Sequence, residues 1–361
     1  EVPEGIAHFL EHKLFESEEL DAFVRYAKTG ASANAYTSFD KTCYLFQCSG
    51  NFEESLEILL DFVSNPYFTE QTVQKEQGII GQEIRMYEDE PGWESLFVLL
   101  RAMYHNHPVR IDIAGTVESI SHITADLLYE CYDTFYNPAN MALAVAGNVT
   151  VEQVLSIADK MLKPKESKKV ERKFQIEPES VVEKYAERHL SVAMPIFAIG
   201  FKENVKTPER TLKESMESGI LLDIIAGPTS SLYEELLKDN LINTTFDTEY
   251  FEGYGYSAHI FNGESKDPQA VRERINAEIT RIMNDGVDHE AFNRIKKKHY
   301  GSLIMDFDNI DSISNSLISA YFNGEGLYDQ LKLLESITAE DIDNRLKNAF
   351  NIENSSMSVI K

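Results

Sequence analysis

The chain has 361 residues, 43% of them hydrophobic and 26% charged, a size and make-up that exceed one comfortable core and favour two domains. Its 60 acidic against 34 basic residues leave a net charge of −26, which suits a solvated surface and excludes a nucleic-acid ligand, because phosphate binding needs basic patches. No apolar run of about 18 residues is present, so no membrane span is expected, and three cysteines (Cys43, Cys48, Cys131) fit a reducing, cytoplasmic compartment.

The first element carries chemistry. In Ala7-His8-Phe9-Leu10-Glu11-His12-Lys13 the two histidines lie four apart, one helical turn above the other, so both imidazoles can reach one metal ion. Glu11 projects from nearly the same face. A hydrolytic zinc site needs protein ligands, an open position for water and a carboxylate that takes the water's proton. His-x-x-Glu-His supplies most of that in five residues. Ser17 to Lys28, apolar at Leu20, Phe23, Val24 and Tyr26, predicts an amphipathic helix capped by Ser17 and stopped by Gly30. Ala33 to Gln47, interrupted by Ser38, Asp40 and Lys41, predicts two strands. Cys43 and Cys48 fall there on opposite faces and are not expected to bridge. Phe52, Leu56, Leu59, Leu60 and Val63 mark the next helix.

Thr72 to Ile84 is again helical, with apolar Val73, Ile79, Ile80, Ile84 and then Met86. Glu76 and Glu83 are two turns apart on one face; one can bind the metal while the other hydrogen-bonds a ligand histidine or the attacking water. His105-Asn106-His107-Pro108 is a local His-x-His, for which a turn at Pro108 and a structural role are expected. Ile120 to Tyr136 predicts a helix, and Met141 to Ala146, closed by Gly147, an apolar strand. Lys163 to Glu183, charged and interrupted by Pro164 and Pro178, has the composition of a linker.

The second half predicts strands around Leu190 to Phe201, a helix beginning at Thr207-Pro208-Glu209 and ending before Gly227, strands from Asn243 to Phe261, and helices at Gln269 to Asn284 and Glu290 to Met305. It repeats the first. Glu118-Ser119-Ile120 is echoed by Glu335-Ser336-Ile337, each leading through a helix to a strand, Met141-Ala142-Leu143-Ala144-Val145 and Met357-Ser358-Val359-Ile360. Phe68 to Glu83 aligns with Val287 to Ser302, where Ile295 and Ser302 stand opposite Glu76 and Glu83. The second half thus keeps the architecture without the ligands.

His8-x-x-Glu11-His12, Gly30-Ala31-Ser32-Ala33-Asn34-Ala35-Tyr36-Thr37, Glu76 and Glu83 together resemble the pitrilysin family of inverzincin peptidases, over essentially the whole chain. The resemblance implies an α+β fold of two repeated α/β-roll halves, each a mixed or antiparallel sheet with helices packed on one face. Residues 1–163 are then the zinc-bearing domain, 164–183 a linker and 184–361 a degenerate repeat. It implies Zn2+ held by His8, His12 and Glu83, with Glu11 as general base on a zinc-bound water and Glu76 as a catalytic carboxylate orienting the ligands. The interval from His12 to Glu83 is a little shorter than in better-known members, which keeps Glu88 and Glu90 as alternatives to Glu83. Glu88 has Gly81 in place of a partner carboxylate, however, and Glu90 abuts Pro91, where the helix should be ending. The strand at Asn34 and Ala35 would pair with the substrate backbone by β-augmentation, a plain hairpin being the other reading. Family members carry a strand ahead of the zinc helix, so the start at Glu1 implies a missing N-terminal segment.

One departure stands out. Self-sufficient members carry an Arg and a Tyr that grip the peptide and the oxyanion; here those places are Leu236 and Asn243, and leucine offers an oxyanion no hydrogen bond. Either Lys238 or Tyr250 substitutes from nearby, or a second chain supplies the pair, the explanation we favour: a metal-less paralogue in a heterodimer, or a homodimer. The function expected is a zinc-dependent endopeptidase acting on peptides or unfolded segments. The alternatives are a non-catalytic structural or peptide-holding subunit and a maturation protease for a ribosomally made peptide.

Overall fold

The structure is a computed structural model and describes residues 2–166, 170–173, 175–205 and 211–361. In chain order its elements are α1 (Ile6–Leu14), α2 (Ala22–Thr29), β1 (Ser32–Thr37), β2 (Thr42–Gln47), α3 (Phe52–Ser64), α4 (Glu70–Glu88), α5 (Pro91–Met103), α6 (Val117–Ser121), α7 (Ala125–Phe135) and α8 (Val151–Met161). Next come β3 (Tyr185–Arg188), β4 (Ile196–Lys202), α9 (Leu212–Ala226), α10 (Ser231–Lys238), β5 (Asp247–Gly253), β6 (Tyr256–Glu264), α11 (Pro268–Asp285), α12 (His289–Asp306), α13 (Ile310–Asn323), α14 (Asp329–Ser336), α15 (Ala339–Ala349) and β7 (Ser355–Ile360). The fold is α+β, as expected. Among the described residues no helix is long and apolar enough to cross a membrane.

The chain forms two compact units. The first comprises residues 1–86, 111–173 and 313–321. Its core joins Phe9, Leu10 and Leu14 of α1 to Leu56, Leu59 and Phe62 of α3, Val73, Ile80 and Ile84 of α4, and Leu128 and Tyr132 of α7. β1 and β2 form an antiparallel hairpin in which Ala35 faces Tyr44 and Thr37 faces Thr42.

The second unit comprises residues 87–110, 174–312 and 322–361, around a five-stranded sheet of order β3-β7-β4-β6-β5. Only the β3–β7 pair is parallel. Strand alternation decides what covers the sheet. Phe197, Ile199 and Phe201 of β4 enter the core with Ile220, Leu221 and Ile225 of α9, Val271 and Ile275 of α11, and Leu346 of α15. Gly200, on the other face, meets α5: a Cβ there would lie 2.4 Å from Met103 Sδ.

Several expectations are corrected. The second helix starts at Ala22, not Ser17. Asp21 is its N-cap, Gly30 ends it in the left-handed region, and Ser17 instead closes a turn with Leu20. Ile120 to Tyr136 is two helices broken at 122–124, because Thr124 caps α7 afresh. Met141–Ala146 is not a strand, since no described strand pairs with it, whereas its counterpart β7 is bonded on both sides, to β3 and β4. Thr207, Pro208 and Glu209 lie outside the described residues; the helix described there opens at Leu212 behind the capping box of Thr211 and Glu214.

Candidate metal centre

The site lies within the first unit, on α1 and α4. The apolar positions of α1 (Ile6, Phe9, Leu10, Leu14) are buried, which turns His8 and His12 together onto its remaining face. Val73, Ile80 and Ile84 seat α4 in the same core and leave Glu76 and Glu83 on its other side; Ile79 and Met86 are exposed. Both helices are tied to one short segment. Ser119 Oγ donates to Glu4 O at 2.9 Å ahead of α1, and Gln77 Nε2 of α4 donates to the carbonyls of Ile120, Ser121 and Ile123 at 3.2, 3.3 and 3.0 Å. Gly5 and Gly115, both left-handed, let the backbones at 4–5 and 114–115 touch: a Cβ on Gly5 would stand 2.3 Å from Ala114 O.

His8 Nε2 lies 3.7 Å from Glu83 Oε1, and His12 Nε2 lies 3.5 Å from Glu83 Oε2. These separations are too long for hydrogen bonds. They match the edge of a tetrahedron around zinc, since bonds of about 2.1 Å put ligand atoms about 3.4 Å apart. One ligand atom from each of His8, His12 and Glu83 falls within 4.8 Å of the others, so the donor set and its spacing fit a zinc ion. The second nitrogen of His12, Nδ1, is 3.1 Å from Glu76 Oε1, while His8 Nδ1 is buried with no hydrogen-bond partner among the described residues.

Burial, reinforced by the neighbouring His12, pulls the His8 pKa down to about 4, so its imidazole is neutral at physiological pH and keeps a lone pair for a cation. For His12 burial acts the same way but is outweighed by the Glu76 hydrogen bond and the charges of Glu83, Glu76 and Glu11, which raise its pKa. Glu11, 8% exposed, is raised by desolvation against the opposing hydrogen bond from Thr37 Oγ1, which reaches its Oε2 at 2.6 Å. A raised carboxyl pKa is what a general acid–base group needs to act near neutrality.

The other candidates have definite places. In β1, Asn34 is exposed and its Oδ1 accepts from Ala35 N–H at 2.9 Å. β2 is the one described strand that pairs with β1, so among the described residues the other edge of β1 has no strand neighbour. Glu90 is the N-cap of α5, its carboxylate accepting from Gly92 N–H and Trp93 N–H, and Glu88 is exposed at the end of α4. His107 Nδ1 accepts from Val109 N–H, so Nε2 carries the proton it gives to Tyr254 O at 3.1 Å; the ring holds a turn. Cys43, Cys48 and Cys131 are unbridged. Sequence reasoning gave Thr37 no place beside Glu11, nor Thr42 behind it. The signal was Thr37-x4-Thr42 around a hairpin turn, which sets two hydroxyls opposite each other at facing strand ends.

Comparison with known proteins places the chain among peptidases. A family profile described as Insulinase (Peptidase family M16) matches residues 1–117, and one described as Peptidase M16 inactive domain matches residues 122–298. The chain is 42% identical over 352 residues to a protein of Bacillus subtilis (strain 168) named uncharacterized zinc protease YmfH, covering 95% of this chain and 81% of that one. It is 26% identical to uncharacterized zinc protease YmxG of the same organism, over 98% of this chain and 85% of that one. A crystal structure of a putative M16-like peptidase from Alicyclobacillus acidocaldarius superposes with a TM-score of 0.95 at 37% identity, covering all of this chain and 87% of the other.

Proposed function

The chain belongs to the insulinase family, peptidase family M16, and we propose that it is a zinc-dependent endopeptidase that hydrolyses peptides or unfolded segments. The observation that carries this reading is the convergence of the two Nε2 atoms of His8 and His12 on the Glu83 carboxylate at metal-ligand spacing, one residue away from a buried Glu11. Zinc held by His8, His12 and Glu83 would polarise the scissile carbonyl and lower the pKa of the attacking water toward about 7. Glu11 accepts that water's proton and passes it to the leaving amine. Glu76 fixes the His12 ring through Nδ1. The free edge of β1, with Asn34 and Ala35, offers an extended peptide a strand to pair with. The three unbridged cysteines favour a reducing, cytoplasmic compartment.

Leu236 is buried and Asn243 Nδ2 donates to Glu264, so neither grips a substrate. Tyr250 is engaged by Glu203 and Arg345. A second chain, either a metal-less paralogue or another copy, is therefore proposed to supply the Arg and Tyr. The same two positions support the rival reading, a peptide-holding subunit that does not hydrolyse. Zinc-loaded wild type, purified under native conditions with any chain that accompanies it, and its Glu11→Gln variant separate the two on a quenched peptide mixture. Cleavage that is lost in the variant, abolished by a chelator and restored by Zn2+ is expected. Equal rates for the two proteins would end the enzyme reading.

A further inference from the structure

Glu11 is the end of a row of hydroxyls. Thr37, which bonds its Oε2, is the last residue of β1, and its partner across the hairpin is Thr42, the first residue of β2, with the two Oγ1 atoms 3.3 Å apart. The facing ends of two strands therefore set two hydroxyls in a line that terminates on one carboxylate oxygen.

The protons of that line have one consistent arrangement. An ionised carboxylate only accepts, and each hydroxyl has a single proton to donate. Thr37 gives its proton to Glu11 and can then only accept from Thr42. Both O–H groups point toward Glu11, and bonds so aligned strengthen one another.

We infer that Thr37 and Thr42 are positioning residues for the general base, holding Glu11 by Oε2 and leaving Oε1 for the proton of the attacking water. The inference rests on the reading of Glu11 as that base. Neither touches substrate in this scheme; each acts through the carboxylate. The bland alternative is that the hydroxyls merely fasten the two ends of the hairpin to each other.

Thr37→Val keeps shape and deletes only the donor. In the zinc-loaded full chain, assayed on one quenched peptide that the wild type cleaves, kcat should fall roughly 10- to 100-fold with KM unchanged, the range commanded by groups that orient an active-site side chain. Thr37→Ser should return kcat toward the parent value. Thr42→Val should cause a smaller loss that vanishes in the Thr37→Val background, because the row reaches Glu11 only through Thr37. A wild-type kcat in Thr37→Val, a Ser variant as poor as Val, or a Thr42→Val loss that persists in the double variant would overturn the inference. Glu11→Gln, run alongside, tests the underlying reading separately: full activity there removes the base, whatever Thr37 does. A crystal structure of Thr37→Val gives a readout independent of turnover. The Glu11 carboxylate is expected to leave its parental position or spread over several rotamers, and an unmoved carboxylate would count against the row.

Discussion

Nδ1 of His12 lies 3.1 Å from Oε1 of Glu76, which makes that nitrogen the donor and leaves Nε2 with the lone pair that faces Glu83. Glu76 therefore sets both the tautomer and the aim of the ring. Glu76→Gln should weaken zinc binding by about 10- to 100-fold, measured by competition against a chelating dye, with the fold unchanged by circular dichroism. Unaltered zinc affinity would show that the carboxylate is a bystander.

Gly5 precedes α1 at φ 87°, and a methyl group there would meet the Ala114 carbonyl, a backbone atom that cannot swing aside. Gly5→Ala should cost about 2–4 kcal/mol in denaturant unfolding and loosen zinc binding, because the clash falls where α1 is pinned. Gly78→Ala is the matched control. Gly78 is exposed in mid-α4 with nothing near its Cβ, so the change should stabilise the chain by about 0.5–1 kcal/mol.

The helices that carry the candidate site were legible because their information is local. Four-residue spacing puts His8 and His12 on one face whatever surrounds them, and seven-residue spacing does the same for Glu76 and Glu83. What brings the faces together was not legible, because the ties run through Ser119 and Gln77 to segments far along the chain. The Thr37 hydrogen bond to Glu11 failed to show for the same reason: β1 meets α1 only once the two have packed together. Met141 to Ala146 and Met357 to Ile360 make the point from the other side. Their apolar sequences are alike, yet only the second is a strand, since a strand exists by virtue of its neighbours.

In the second unit Arg345 is buried against Glu203, with Nη1 2.7 Å from Oε1 and Nη2 2.9 Å from Oε2, and its Nε donates to Ser218. Tyr250 and Ser257 supply Glu203 with further donors at 2.9 and 2.7 Å. Arg345→Met leaves that carboxylate buried without its cation and should cost about 3–5 kcal/mol in denaturant unfolding. Adding Glu203→Gln should recover part of the loss. A double variant no more stable than the single one would show that the cost was packing and not stranded charge.

Acid should act on the second unit through Asp341. Lys213 Nζ lies 2.7 Å from its carboxylate, and Thr338 donates to it from both hydroxyl and backbone N–H, so the pKa is lowered from 3.8 to about 2. A group depressed on folding stabilises the native state above its unfolded pKa and loses that contribution as pH falls toward its folded value. The bridge is largely solvent-exposed, so screening reduces its worth to about 1 kcal/mol or less. Asp341→Asn should therefore unfold more easily than the parent at pH 6, and the gap should narrow as pH falls from about 4 toward 2. Chemical denaturation of both proteins across that range reads it directly. A gap that stays constant with pH would mean that the hydrogen bonds of the α15 cap, and not the charge, supply the stability.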